Sequence, residues 1–303
     1  MASEHMNKGI WYAIGAYSIW GLFPIYWKWL RDVSALQLLS HRFVWAFLML
    51  SAVIVLARQW TNFAAAARAP RVVGVYFAAA ALIAVNWLVY IWAVNAGYVI
   101  ETSLGYFIVP LVNVLMGVIF LRERLRSWQW VSVGLATTGV LYLTFVYGAV
   151  PWIALTLAFT FGVYGLIKKT APLGSLHGLT LETGILFLPA LAYLLYSDYL
   201  GQGAFLRIGA LPDVLLIGTG LVTTAPLLLF ASAAQRIPLS HMGILQYISP
   251  TLQFLLGALA YHESFAYAQL IGYCLVWTAL IIFAVDGFLG HRAQAMAVGA
   301  NRV

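Results

Sequence analysis

Residues 108–135 read IVPLVNVLMGVIFLRERLRSWQWVSVGL, and residues 248–275 read ISPTLQFLLGALAYHESFAYAQLIGYCL. Under a shift of 140, Ile108, Pro110, Leu115, Gly117, Glu123, Gln129 and Leu135 fall on Ile248, Pro250, Leu255, Gly257, Glu263, Gln269 and Leu275. Matched Leu or Ile would say little in apolar runs, but Pro, Gly, Glu and Gln are uncommon there and keep one spacing. A shift of 141 further places Trp20-Gly21 on Phe161-Gly162 and Lys28 on Lys169. The chain reads as two copies of one unit, residues 7–148 and 149–290.

The solvent of both copies is lipid. Of the 303 residues 63% are hydrophobic and 8% charged, against about 45–50% and about 25% in soluble domains. Apolar runs lie at about 9–27, 36–57, 72–95, 99–120, 128–147, 150–167, 179–197, 213–234, 238–261 and 267–289. Each is near the roughly 20 residues that span a bilayer as a helix. The predicted fold is an all-α polytopic membrane protein with ten transmembrane helices. Five spans per copy is an odd number, so the second copy enters the membrane inverted relative to the first. Met1–Met6 (MASEHM) reads as a disordered cloning scar, and 291–303 as a cytoplasmic tail.

Orientation follows from the basic residues. With the N-terminus inside, cytoplasmic segments carry twelve: Lys8, Arg58, Arg68, Arg71, Arg122, Arg124, Arg126, Lys168, Lys169, Arg236, Arg292 and Arg302. Outer loops carry only Lys28, Arg31 and Arg207, a positive-inside bias that places both termini in the cytoplasm. The formal charge of +7 comes without a dense basic run, so no nucleic-acid partner is expected. Cys274 is the sole cysteine, which excludes an intrachain disulfide and C-x-x-C chemistry. Gly218-Thr219-Gly220 lacks the third glycine of a dinucleotide loop, and no metalloprotease, phosphate-loop or serine-hydrolase motif occurs. No catalytic residues, metal or cofactor are assigned.

Polar groups inside the spans are few and costly in lipid, so each is a candidate. His41 and Arg42 in span two, Glu182 in span seven, and Glu101 and His241 at the starts of spans four and nine are candidate coupling or gating residues. Snorkelling to the interface is the competing reading for Arg42 and Glu182, and helix capping that for Glu101. Pro110 and Pro250 remove a backbone donor at equivalent positions and are candidate hinges, with a packed kink as the alternative. Trp20, Asn86, Trp87, Tyr90, Tyr106, Thr224, Gln246 and Tyr247 are candidate substrate-binding residues, because aromatic faces beside amides and hydroxyls suit an amphipathic solute. Ordinary interhelical hydrogen bonding is the alternative. The expected cavity is lined by spans one, three, four, six, eight and nine.

Nearly the whole chain resembles the RarD-type members of the EamA family in the drug/metabolite transporter superfamily. The resemblance rests on Asn7-Lys8-Gly9-Ile10, Gly15-Ala16-Tyr17, Trp20-Gly21 and Tyr26-Trp27-Lys28, on His41-Arg42 with Trp45, and on Asn86-Trp87 and Tyr90 to Asn95. It extends through Glu101, Ser103 to Ile108, Gly178 to Thr183, Pro226 to Phe230, Arg236 to Ser240 and Leu245 to Thr251. It implies a bacterial inner-membrane protein that exports amino-acid-like or phenicol-like metabolites or drugs through two inverted EamA repeats. Val109 and Gln37 depart from a pattern of Asn and an acidic residue, which implies a less polar pathway.

The function expected is secondary transport by alternating access, with a small-molecule substrate, lipid contact and protons as a candidate coupling ion, in a monomer or homodimer. Uptake by the same fold, a lipid flippase or membrane enzyme, and a non-transporting scaffold are the alternatives. The orientation is checked by fusions: phosphatase joined after Leu200 should be active and joined after Arg126 inactive, and the reverse pattern would overturn it.

Overall fold

Lipid offers backbone N–H and C=O groups no partners, so runs of this composition must satisfy themselves as helices. The computed structural model describes residues 2–96, 98–147, 151–260 and 267–300. Among these residues every regular element is helical. In the first half these are α1 (Ala2–Lys28), α2 (Ala35–Leu56), the short α3 (Trp60–Ala67), α4 (Pro70–Asn95), α5 (Val99–Phe120) and α6 (Ser127–Tyr147). The second half contains α7 (Trp152–Thr170), α8 (Ser175–Tyr199), α9 (Ala210–Ala234), α10 (Leu239–Leu245), α11 (Ile248–Leu255) running into a π-helical turn at Leu256–Ala260, and α12 (Tyr267–Ala300).

Each expected run is helical, with departures at its edges and in one interior. α1 already begins at Ala2, and α12 continues to Ala300, past the expected start of the tail. Both extensions are rich in Ala, Met and other good helix formers. Span nine, expected as one helix, is broken between Leu245 and Ile248. Pro250 cannot donate to the carbonyl of Gln246, and the Ser249 N–H reaches that carbonyl instead at 3.1 Å in a tighter turn. Among the described residues six helices are long and apolar enough to cross a membrane, including Ala35–Leu56, Pro70–Ala93 and Ala210–Ala234. Their outward faces carry large apolar side chains such as Phe77, Phe159, Leu188 and Leu221, as a lipid-facing surface requires.

The helices pair mostly across the two halves, and the pairings exchange when the halves are swapped. α5 packs on α7 while α1 packs on α10 and α11; α2 packs on α9 while α8 packs on α4; α1 packs on α9 while α7 packs on α4. The remaining major pairs, α2 with α8, α6 with α12 and α5 with α10, each join an element to its own counterpart. The exchange holds down to single contacts. A Cβ on Gly21 would lie 2.7 Å from the Leu252 Cβ, and one on the equivalent Gly162 would lie 2.5 Å from Val112. The fold is therefore a polytopic bundle of two interlocked five-span repeats.

Such crossings depend on small residues that let backbones approach. At Gly220 an added Cβ would meet the Trp45 backbone at 2.7 Å, whereas at Gly134 it would meet nothing within 4 Å. Gly220→Ala should therefore destabilise by about 1–3 kcal/mol through overpacking. Gly134→Ala should be neutral or stabilise by up to about 1 kcal/mol through helix entropy. Thermal unfolding of the two variants in detergent checks the difference.

Candidate functional site

A cavity of about 280 Å³ lies at the centre of the bundle and reaches toward the end where α1 finishes and α2 begins. α1 contributes Tyr17, Trp20, Phe23, Pro24 and Trp27; α2 contributes Leu38, Leu39 and Arg42; α4 contributes Asn86, Trp87, Tyr90 and Ile91. Gly105, Tyr106 and Val109 of α5, Leu157 and Phe161 of α7, and Gln246, Ser249, Pro250 and Gln253 of span nine complete it. The walls are aromatic, with the Tyr90 and Tyr106 rings edge to face at 5.8 Å and Trp20 and Phe161 edge to face at 6.0 Å. The polar groups are three amides, tyrosine hydroxyls, Ser249 and Arg42, and among the described residues the wall holds no Asp or Glu.

Arg42 is the one formal cation among the described residues of the wall. Its guanidinium carbon sits 3.8 Å from the Trp87 ring centre, 5.1 Å from that of Trp27 and 5.9 Å from that of Phe23. Nε donates to Thr223 Oγ1 at 3.0 Å, which fixes the plane of the group from α9. Phe43 stacks on the far side of Trp87 at 5.4 Å and holds that ring in place. Cation–π contact of this kind steadies a charge without neutralising it.

Toward the other end the path is shut. Tyr17, Trp20, Phe161 and Tyr164 gather around the fully buried Phe230, with Tyr164 stacked on it at 5.9 Å. Beyond this plug Lys168 Nζ donates to Glu182 Oε2 at 2.6 Å, and both side chains are only 2% exposed. The Tyr76 and Tyr164 rings flank the ammonium at 5.5 and 5.4 Å. Glu123, in the turn after α5, accepts from the backbone N–H groups of Leu239 and Ser240 at 2.6 and 2.9 Å, so a carboxylate caps the start of α10. Lys169 Nζ donates to the carbonyl of Ile237 beside it at 2.5 Å.

Known proteins match this chain over nearly its whole length, and a known family matches its first half. The EamA-like transporter family matches residues 7–145. Protein RarD of Streptomyces exfoliatus is 46% identical over 291 residues, covering 96% of this chain and 92% of that protein. The chain belongs to the RarD-type EamA transporters. A Bacillus subtilis relative named as the transporter YojE is 44% identical over 97% of this chain and 99% of its own length. A solved structure, described only as the crystal structure of a protein, matches with a TM-score of 0.70 at 17% identity, covering 95% of this chain and 99% of that one. At that identity it shows the shared fold. The protein is thus a multi-pass membrane transporter that takes a small-molecule substrate and contacts lipid.

Of the residues singled out in the sequence of this transporter, Trp20, Asn86, Trp87, Tyr90, Tyr106 and Gln246 line the cavity together with Pro250. Two do not. Thr224 turns from the cavity and donates to the Leu221 carbonyl in its own helix, while its neighbour Thr223 meets Arg42. Tyr247 is fully buried between spans four and nine, donating to the Phe107 carbonyl at 3.0 Å. A rotation of about 100° per residue along a helix separates such neighbours, and composition does not carry that phase. Span two also takes the place expected for span eight.

Among the gating candidates, Arg42 points into the cavity and does not snorkel, and Glu182 lies in the buried ion pair. His41 accepts from Trp45 Nε1 at 3.3 Å against Phe205, outside the cavity wall. His241 lies edge to face with Phe283 at 5.2 Å, also away from it. Pro110 is buried within an unbroken α5. The side chain of Glu101 lies outside the described residues. Gln37 donates to Ser197 Oγ and the Gln202 carbonyl and accepts from the Ala204 N–H, so it pins α2 to the loop after α8.

Lys168, Asn113 and Gln253 were not anticipated as site residues. Lys168 is correct in sequence as the end of a span but wrong as a loop charge, because its amine folds back to Glu182. Asn113 Nδ2 donates to Gln246 Oε1 at 2.7 Å, and Gln253 Nε2 to the Trp20 carbonyl at 3.2 Å. The 140 shift pairs Asn113 with Gln253, a signal the sequence did hold.

Removing one partner of a buried ion pair strands the other charge, at a cost of about 3–5 kcal/mol. Lys168→Met and Glu182→Leu should each lose about that much stability, and the double variant should regain most of it. A double-mutant cycle on detergent-solubilised protein checks this, and additive losses would contradict it.

Proposed function

We propose that this protein is a secondary transporter moving a small amphipathic solute across the bacterial inner membrane by alternating access, in the outward direction. The observation that carries the reading is one cavity, aromatic with a few amides and one guanidinium, separated from the opposite end by a ring plug and a buried ion pair. At about 280 Å³ the cavity lies just below the roughly 300–1,000 Å³ of typical small-molecule sites, which suits a small metabolite. The helix pairings that exchange between residues 7–148 and 149–290 support two inverted halves rocking around that site. With both termini cytoplasmic, the cavity faces outward and the Lys168–Glu182 and Glu123 contacts form the closed inner gate. Opening inward requires these contacts to part while an outer closure forms around α1 and α2.

A gradient drives the cycle, since the sequence holds no phosphate-binding loop. One charge moved across 100 mV is worth about 2.3 kcal/mol, enough for roughly a fifty-fold concentration ratio. An enzymatic reading has less support, because among the described residues the cavity wall presents no carboxylate or histidine to act as a general base beside Ser249. Export is the direction taken from the family resemblance.

Two measurements test the reading. In Cys274→Ser protein, a cysteine at Ser249 should react with an impermeant maleimide from the outer face only. A cysteine at Ser240, which is 1% exposed, should react from the inner face only while a transported solute is cycling. Counterflow into proteoliposomes with amino acids, aromatic acids, amines, nucleobases and phenicols should find at least one exchanging solute. Trp87→Ala or Gln246→Ala should slow that exchange about tenfold or more. No exchange across the whole panel, or Ser240Cys labelling independent of solute, would count against alternating access.

A further inference from the structure

The Arg42 guanidinium is held by two indole faces and one threonine hydroxyl, and among the described residues no carboxylate pairs with it. The internal repeat shows what the equivalent position in the other half contains. Under the 140 shift Arg42 falls on Glu182, and under the 141 shift Trp27 falls on Lys168. The closed end therefore joins the two positions as Lys168 and Glu182, an ammonium and a carboxylate 2.6 Å apart. The cavity end joins their counterparts as Trp27 and Arg42, a ring and a guanidinium 5.1 Å apart. Among the described residues, one end carries its own counter-charge and the other end does not.

From this, and resting on the transport reading above, we infer that Arg42 anchors the carboxylate of a small monoacid with a flat apolar body, carried as a net anion. While the cavity is wet, water solvates the guanidinium. When the walls close around cargo that water leaves, and a lone cation in the low-dielectric interior is strongly unfavourable. The missing charge then has to arrive with the solute. The planar fork of Arg matches a carboxylate bidentately, and Thr223 holds Nε of a residue that lines the cavity. Trp20, Tyr90 and Tyr106 offer faces for the apolar body. A single cation suits a monoanion better than a phosphate dianion. Neutral and cationic solutes leave Arg42 uncompensated, so occlusion selects by charge.

The test uses the full chain in phosphatidylcholine vesicles, where no lipid anion competes, with phenylacetate, phenylacetamide and phenethylamine as probes that share one body. Phenylacetate should bind and exchange, with the amide and amine at least about tenfold weaker. Arg42→Gln should weaken phenylacetate about ten- to hundred-fold and leave the amide unchanged, as loss of a charge-assisted bond predicts. Arg42→Lys keeps the charge without the fork and should retain the preference for acid at reduced affinity, with both variants checked for monodispersity. The inference is overturned if the acid-to-amide ratio is the same in wild type and Arg42→Gln. It is overturned equally if phenethylamine or phenyl phosphate binds more tightly than phenylacetate, and in that case the cavity remains a transport site. Failure of every solute to exchange, chloramphenicol and other neutral compounds included, would instead remove the transport reading beneath it.

Discussion

A proline inside a membrane helix releases a carbonyl that lipid cannot answer, and the centre of this bundle is arranged around two of them. Pro110 withholds a donor from the carbonyl of Tyr106, and Pro250 from that of Gln246; both of those residues line the cavity. Around the second the helix breaks, and the Ser249 N–H takes the released carbonyl. Around the first α5 stays whole, while Gly243 lets α10 approach the Pro110 carbonyl so closely that a Cβ would lie 2.5 Å away. The crossing is then tied by the Asn113–Gln246 amide pair and by Tyr247 donating to Phe107. Phe107 and Tyr247 are themselves 140 residues apart, so this last bond joins equivalent positions of the two halves. The cavity walls from α1, α2, α4 and α7 are arranged around that crossing.

On this symmetric frame the chemistry is asymmetric. The end with Lys168, Glu182 and Glu123 satisfies its charges internally: ammonium with carboxylate, carboxylate with helix N-terminus. The cavity end has an aromatic face where the closed end has a charge, with Trp27 at the position equivalent to Lys168. A buried ion pair repays its desolvation only in close geometry, so it suits a contact that is either made or broken. Ring faces tolerate a range of approach and suit a wall that must accept a solute. The division of residue types between the ends follows the division of tasks in the proposed cycle.

Fold class was legible because hydropathy and an odd number of spans per repeat are properties of whole segments. The interlocking of the halves was implied by the repeat, and the pairings supply its detail. The site was partly legible. Aromatics and amides recurring at one face of spans three and four pointed to one side of the wall, since Asn86, Trp87 and Tyr90 share a helical stripe. The errors came from phase and from bending of side chains. Thr223 and Thr224 differ only in which way α9 turns them, and Lys168 reads as a loop charge until its chain is seen to double back toward α8. The break in span nine needed the observation that Gln246 and Tyr247 find partners on α5, because a proline alone leaves α5 unbroken.

The same interlocking constrains how such a protein can move. If each half packed mainly on itself, alternating access would be a hinge between two domains. Here the principal contacts of α1, α2, α5 and α7 are with the opposite half, so no boundary exists along which two bodies could simply swing apart. Motion has to be a sliding of paired helices past one another, distributed over many crossings. Gly21 on Leu252, Gly162 on Val112 and Gly220 on Trp45 place small residues at those crossings, where a smooth surface lowers the resistance to shear. The contacts that resist sliding are the directional ones: the Lys168–Glu182 pair, the Glu123 cap and the Arg42 bond to Thr223. The last two bridge the halves, since the turn after α5 holds α10 and α2 holds α9, while the ion pair joins α7 to α8 within the second half and meets α4 through the Tyr76 ring. The balance between states is therefore set by a small number of polar contacts on an otherwise slippery apolar frame, and a solute that engages one of them acts directly on that balance.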